Sequence, residues 1–168
     1  MVELLALAAF AALLIYAACS DVASLTIPNW VSIAMAALFV PAAFVANLAL
    51  ADIGMHLVFG FAVLVVGFFL FQANIIGGGD AKLLAATTIW TGFPAFAPFI
   101  LGTAVAGGLL AVTLLAIRQF VPVSETTPSF VNHLLKKQNG IPYGVAIMFG
   151  GLIAIPSLPF AVSPLTLP

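Results

Sequence analysis

The chain has 168 residues, of which 64% are hydrophobic and only 5% are charged, and its mean hydropathy is +1.30. Soluble domains carry charge on roughly a quarter of their residues, so this composition excludes a soluble fold and predicts an all-α bundle of membrane helices, in a single domain over residues 1–168. The net charge of −1 comes from four basic and five acidic residues, which provide no basic patch for a nucleic acid.

Charged residues and Pro/Gly clusters divide the chain into six apolar segments that predict transmembrane helices. A helix needs about 20 apolar residues to cross the bilayer. The segments are, in chain order, 3–20, 30–50, 54–73, 81–93, 97–117 and 142–158. Because the fourth segment is short, the alternative is a bundle of five spans in which this segment does not cross.

The basic residues predict the orientation of the bundle, because loops rich in Lys and Arg stay in the cytoplasm. Arg118, Lys136 and Lys137 all lie in the one substantial polar stretch, 118–140. Counting back through six spans places the N-terminus outside and brings Lys82 to the cytoplasmic end of its helix. The sequence therefore predicts a multi-pass membrane protein with an external N-terminus.

Two aspartates fall on the same predicted membrane face, although 59 residues separate them (80 − 21). Asp21 follows the first span and Asp80 opens the fourth. Ionisable side chains at membrane depth are costly and are therefore functional candidates, although either aspartate alone could simply cap a helix end. The other acids do not pair with this face, since Glu3 lies at the N-terminus, Asp52 on the opposite face and Glu125 in the polar loop.

Three glycines stand directly before the second acid, in the sequence Gly77-Gly78-Gly79-Asp80, and Lys82 follows. Glycine permits close approach of another backbone, so an extended peptide could lie against this loop. Irregular backbone at membrane depth is tolerated only where it is buried in protein or lines a wet cavity. The alternative is a flexible turn, whereas a nucleotide-binding loop is excluded because the GxxxxGK[ST] spacing is missing.

The first acid begins the sequence Asp21-Val-Ala-Ser-Leu-Thr-Ile-Pro28-Asn29. Pro28 predicts the end of the helix that carries Asp21, since proline interrupts a helix. Asn29 suits the N-cap position of the next span. Taken alone, this is an ordinary turn between two spans.

The last span is preceded by the sequence Gly140-Ile141-Pro142-Tyr143-Gly144. Pro142 suits the first position of a helix, and Tyr143 suits the membrane interface. Taken alone, this turn indicates no function.

The remaining reactive side chains indicate neither a metal site nor another type of nucleophile. Cys19 is the single cysteine, so a disulfide within the chain and a multi-cysteine zinc site are excluded. His56 and His133 lie in different segments without partners at metal-ligand spacing. Ser24 and Thr26 have no suitably spaced base. We therefore expect neither a metal nor a cofactor.

Together, the sequences GGGDAK, D-x5-IPN and IPYG resemble those of the type IV prepilin peptidases, a family of GxGD aspartic proteases. Presenilin-like and signal-peptide-peptidase-like proteases share the GxGD motif. An acid six residues before Ile-Pro-Asn and a Pro-Tyr-Gly segment at the last helix are typical of the prepilin branch. The resemblance covers nearly the whole chain and implies that Asp21 and Asp80 are the catalytic pair.

The resemblance also implies supporting or substrate-binding roles for the residues that surround the two acids. These residues are Gly77, Gly78, Gly79, Lys82, Pro28, Asn29, Pro142, Tyr143 and Gly144. Relatives often carry Arg or Lys between the first acid and Ile-Pro-Asn, whereas residues 22–26 are uncharged here. This departure leaves the details of substrate contact open.

The activity implied by the resemblance is that of an endopeptidase in the bacterial inner membrane. It would remove the short basic leader of prepilins and pseudopilins at the cytoplasmic face. Larger relatives add a region that methylates the new pilin terminus, often with a tetracysteine zinc insert, for which we expect no room here. The chain is similar to the short peptidase-only form that serves tight-adherence (Flp-type) pili. Membrane lipid is the other expected partner.

The predicted mechanism uses both carboxylates, since two that lie close together do not both ionise readily and one keeps a proton. The N-terminal end of a helix and Lys82 favour charge on Asp80, whereas the C-terminal end of a helix disfavours charge on Asp21. We therefore expect Asp80 to be the base and Asp21 the acid. The alternative functions are another GxGD intramembrane protease, a small proton-coupled transporter and a structural assembly subunit.

Overall fold

The computed structural model describes residues 2–120, 129–136 and 140–161. Helices dominate these ranges, and the all-α membrane bundle predicted from composition is confirmed. The helices are α1 Val2–Ser24, α2 Asn29–Val45, α3 Leu50–Gln72, α4 Gly78–Thr91, α5 Phe96–Phe120, α6 Ser129–Leu135 and α7 Tyr143–Ala154, with a 3-10 turn at Ile155–Ser157. Two residues used in the sequence predictions, Glu125 and Lys137, lie outside the described ranges.

Six of the helices fall on the six predicted spans, and within the described ranges three of them are long and apolar enough to cross a membrane. These three are α1, α3 and α5, with 23, 23 and 25 residues. Helix α2 and the segment Tyr143–Ser157 are shorter apolar helices. Helix α4 has 14 residues, which extend only about 21 Å. Helix α6 was not predicted, and it lies within the polar stretch 118–140.

Helix α4 lies at the centre of the bundle. It packs against α2, α3 and α7, while α1 packs against α2 and α7, and α5 packs mainly against α7. Eight residues of α4 are buried, including Thr87 and Thr88, whose hydroxyls donate to the Leu83 and Leu84 carbonyl oxygens at 2.8 Å. Because most of α4 is buried and these hydroxyls bond within the helix, its short length and its threonines suit a position inside the bundle.

One tryptophan connects α4 to the two N-terminal helices. The Trp90 side chain is fully buried, and its ring stacks on Phe10 of α1 with centroids 4.9 Å apart. Its indole N–H donates to the carbonyl oxygen of Met35 in α2 at 2.9 Å. The tryptophan therefore satisfies its single polar group while filling the space between three helices.

Glycines allow the helices of the bundle to approach closely. A Cβ added at Gly67 of α3 would lie 3.0 Å from the Ala81 Cβ of α4. A Cβ at Gly150 of α7 would lie 2.5 Å from the Phe99 carbonyl oxygen and 2.7 Å from the Thr103 nitrogen, both in α5. Small residues at helix crossings are typical of membrane bundles, where van der Waals packing drives association.

The bundle has two chemically different ends. The end of α1, the start of α4 and the segment before α7 line one cavity, which contains Asp21 and Asp80. Asp52, Pro94 and Pro159 line a separate pocket at the other end of α3. The two candidate acids therefore share one end, from which Asp52 is remote.

Gly150→Ala tests the packing between α5 and α7. We expect the substitution to lower the stability of the bundle by about 1–3 kcal/mol, because the added methyl group would overlap backbone atoms of α5. Gly108→Ala is the control, since a Cβ at Gly108 has no neighbouring atom within 4 Å. Thermal unfolding of both purified variants in detergent measures the difference, and equal melting temperatures would contradict the packing.

Candidate active site

The last turn of α1 carries Asp21 and ends in a well-fixed reversal of the chain. Leu25 has a positive φ of 51°, the left-handed conformation that commonly follows a helix, and its N–H donates to the Asp21 carbonyl oxygen at 2.7 Å. The Ser20 hydroxyl donates to the Thr26 carbonyl oxygen at 2.8 Å. These bonds hold the end of α1, and with it the buried Asp21 side chain.

The first turn of α4 carries Asp80 and fixes it through the backbone of Gly77. Gly77 is the N-cap residue of α4, and its N–H donates to the Asp80 carboxylate. This contact is one of the two bonds of a capping box, the one in which the side chain of the third helical residue reaches back to the backbone N–H of the N-cap residue. A Cβ at Gly77 would lie 2.7 Å from Asp80 Oδ2, so a side chain there would displace the carboxylate.

The other two glycines before Asp80 also serve close packing. A Cβ at Gly79 would lie 3.2 Å from the Ile27 Cβ, and one at Gly78 would lie 3.3 Å from the Phe71 ring. Gly79 thus brings the start of α4 against Ile27, which belongs to the sequence that follows Asp21. Packing of the start of α4 against the segment that follows Asp21 therefore brings the two motifs together in one site.

The start of α7 contributes a hydrogen-bond donor that local sequence does not reveal. The Gly144 N–H donates to Asp21 Oδ2 at 2.6 Å and joins residues that lie 123 positions apart. The N–H groups in the first turn of a helix have no partner within that helix, and a carboxylate there is further favoured by the helix dipole. A Cβ at Gly144 would lie 2.9 Å from Asp21 Oδ2, so only glycine permits this approach.

Both carboxylates line one open cavity of about 340 Å³ at this end of the bundle. Its walls come from the end of α1, the connection 74–77 between α3 and α4, Gly140 and Ile141 before α7, and Tyr143 at the start of α7. The charge on Asp21 is close enough to act on Asp80. Two adjacent carboxylates that share protons can supply one base and one acid to a bound substrate.

Two of the predicted supporting residues lie away from this cavity. The Lys82 ammonium donates to Asn29 Oδ1 at 2.8 Å, and both residues line a separate apolar groove between α2, α3 and α4. Residue 82 lies about 200° around the helix from Asp80, which directs its side chain to the opposite side of α4. Asn29 is not the helix cap that the sequence suggested, because Pro28 occupies the N-cap position of α2.

The remaining predicted supporting residues lie at the N-caps or in the first turns of α2, α4 and α7. Helix α1 ends at Ser24, before Pro28, so the proline starts the next helix rather than ending the previous one. Pro142 is the N-cap residue of α7. Tyr143 follows it and lines the cavity, as Gly77 does.

The geometry does not support the expectation that Asp80 is the base and Asp21 the acid. Asp21 lies near the C-terminal end of α1, as expected, but its carboxylate accepts the N–H of Gly144 at the N-terminus of α7. Lys82 bonds to Asn29. Since each acid meets the N-terminal end of a helix, the dipoles do not distinguish the base from the acid.

His56 has a structural role at the other end of the bundle. Its Nδ1 lies 2.7 Å from the Ile89 carbonyl oxygen, so this nitrogen is the N–H donor, and its ring stacks on Phe39 with centroids 5.2 Å apart. Within the ranges that the structure describes, no three His, Cys, Asp or Glu side chains form a metal-binding group. His133 lies in α6, but its side chain is not among those that the structure describes.

Comparison with known families places the chain in one of them. The family model of the type IV leader peptidases matches residues 8–112, which is more than half of the chain. The chain belongs to the type IV leader peptidase family. No curated protein and no solved structure matches it significantly. The matched region contains both acids but ends before α7, so the hydrogen bond from Gly144 to Asp21 is an observation independent of the family match.

Gly144→Ala tests the contact between α7 and Asp21. We expect cleavage of a leader-containing substrate to fall about 100-fold, because the methyl group would push the Asp21 carboxylate out of place. Gly54→Ala at the other end of α3 is the control, since a Cβ there meets nothing within 4 Å. Equal cleavage rates for the two purified variants would show that this contact is dispensable.

Proposed function

We propose that the chain is an aspartic endopeptidase that removes the leader peptide of type IV, Flp-like prepilins at the cytoplasmic face of the bacterial inner membrane. The observation that carries the proposal is the placement of Asp21 and Asp80 in one cavity. Each carboxylate accepts a backbone N–H, from Gly144 and Gly77 respectively. An acid pair held by fixed donors is what the hydrolysis of a peptide bond by water needs.

In the proposed reaction, the two acids share one proton. The ionised carboxylate removes a proton from water, whose oxygen attacks the carbonyl carbon of the scissile bond, while the protonated carboxyl donates its proton to the carbonyl oxygen. The tetrahedral intermediate then breaks its C–N bond, and the departing nitrogen takes up a proton from the pair. The products are the leader, with a new carboxyl terminus, and the shortened pilin, with a free amine.

The position of the cavity fits a substrate that lies partly in the membrane. The site opens at the end of the bundle, where Phe71 of α3 and Tyr143 of α7 contribute its walls. A prepilin would present its basic leader from the cytoplasm and lay its apolar helix against the bundle. We propose prepilins and pseudopilins as the substrates, and peptidase activity without N-methylation as the outcome.

Substitution of the two acids tests the catalytic pair. We expect Asp21→Asn and Asp80→Asn each to lower cleavage by about 10²- to 10⁴-fold, because an amide cannot exchange the proton that general acid–base catalysis requires. The assay is co-expression with a candidate prepilin, followed by mass measurement of the pilin. The wild-type enzyme should give an unmethylated new N-terminus.

Asp52→Asn is the matched control for these substitutions, because it makes the same chemical change at the end of the bundle that is remote from the two acids. Its activity should equal that of the wild type. Full cleavage by either the Asp21 or the Asp80 variant would remove that residue from the mechanism.

Cysteine labelling tests the proposed orientation in the membrane. In a Cys19→Ala background, single cysteines at Asp52 and Pro94 should react with a membrane-impermeant thiol reagent on intact spheroplasts. A cysteine at Ser24, near the acids, should react only after the membrane is opened, because the basic residues keep this end in the cytoplasm. Labelling of Ser24→Cys in intact spheroplasts would place the acids outside and refute cytoplasmic cleavage.

A further inference from the structure

Arg118 is a buried cation whose hydrogen bonds join two segments near the active site. It lies in the last turn of α5 and is only 6% exposed. Its Nε donates to the Leu134 carbonyl oxygen at 2.8 Å, and its Nη2 donates to the Gly140 carbonyl oxygen, also at 2.8 Å. One guanidinium therefore ties the end of α5 to the end of α6 and to the segment that leads into α7.

A short stretch of backbone connects the Arg118 contact to the catalytic pair. Gly140 lines the cavity and stands four residues before Gly144, whose N–H donates to Asp21. The intervening turn is compact, since the Tyr143 N–H donates to the Ile141 carbonyl oxygen at 2.8 Å. We therefore expect a displacement of Gly140 to move the Gly144 N–H, which donates to the Asp21 carboxylate.

Arginine suits this position better than another cation would. Its planar guanidinium holds several donors in a rigid arrangement, so one side chain can bond two carbonyl groups from different segments at once. Hydrogen bonds that involve a charged donor are also shorter and stronger than neutral ones. Lysine carries the same charge on a flexible stem and cannot reproduce this geometry.

We infer that Arg118 is a positioning residue, which holds the turn before α7 so that the Gly144 N–H meets Asp21. The inference rests on the proposed function in so far as Asp21 is catalytic. It goes beyond the role of Arg118 as a basic residue that sets membrane orientation, a role that any cation at this end would share. The two roles separate when the charge is kept and the geometry is changed.

Arg118→Lys and Arg118→Met test the positioning role in a purified system with a prepilin substrate. We expect kcat to fall about tenfold in Arg118→Lys, which loses one charged hydrogen bond. We expect a fall of about 100-fold in Arg118→Met, which frees the turn. In both variants KM should stay within about twofold of the wild-type value, because Arg118 is buried and is not one of the residues that line the cavity.

Lys136→Met is the matched control. It removes one positive charge from the same end of the bundle, and the Lys136 side chain is exposed. Its kcat should stay within about twofold of the wild-type value, as is usual for a surface substitution. An equal fall in Lys136→Met and Arg118→Met would show that net charge, rather than the two carbonyl bonds, is responsible and would overturn the inference.

Hydrogen–deuterium exchange of the segment 140–145 provides a second measurement, which needs no substrate. Both Arg118 variants should exchange this segment faster than the wild type, whereas Lys136→Met should not. Wild-type kcat in Arg118→Lys, a raised KM with unchanged kcat, or unchanged exchange would each overturn the positioning role. If the wild-type enzyme cleaves no prepilin but exchange responds as expected, the proposed function fails and the positioning role stands.

Discussion

The hydrogen bond from the Gly144 N–H to Asp21 Oδ2 joins the start of α7 to the end of α1. Asp21 is buried, and a buried carboxylate without partners would be strongly disfavoured. Helix α7 supplies that partner through a backbone group, which has a fixed direction and needs no side-chain ordering. The contact requires α7 to lie directly against the end of α1, and the extensive packing of α7 on both α1 and α5 meets this requirement.

Close approach at glycine is the second condition on which the site depends. Gly77, Gly79 and Gly144 each lie where a Cβ would contact an acid or Ile27. Gly77 and Gly144 thus place backbone directly against the two carboxylates, and Gly79 brings the start of α4 against Ile27. This arrangement explains why GGGD is more than a flexible turn, since its glycines are packed against neighbours at helix starts.

Hydropathy and turn residues predicted much of this molecule. Long apolar segments must become helices in a bilayer, because their backbone groups have no other partners there, so the six helices could be located from sequence. The pairing of Asp21 with Asp80 at one end also followed, from the count of spans. The family resemblance, confirmed by the match over residues 8–112, rested on the same short motifs.

The contacts between distant segments could not be predicted in the same way. Nothing in the local sequence assigns the Gly144 N–H to Asp21, because the partners are 123 residues apart. Lys82 was placed beside Asp80 by proximity in the chain, yet the helical rotation directs it to Asn29. Helix α6 was missed because it lies in a polar stretch without the apolar run that reveals a span.

The distribution of the site along the chain also orders its assembly during synthesis. Asp21 and Asp80 enter the membrane with α1 and α4, long before α7 emerges from the ribosome. A nascent chain that has inserted α1 to α5 holds both acids, but it lacks the backbone donor that α7 provides to Asp21. Completion of the proposed catalytic pair is therefore tied to insertion of α7, and a chain interrupted before residue 144 would carry both aspartates without the N–H that donates to Asp21.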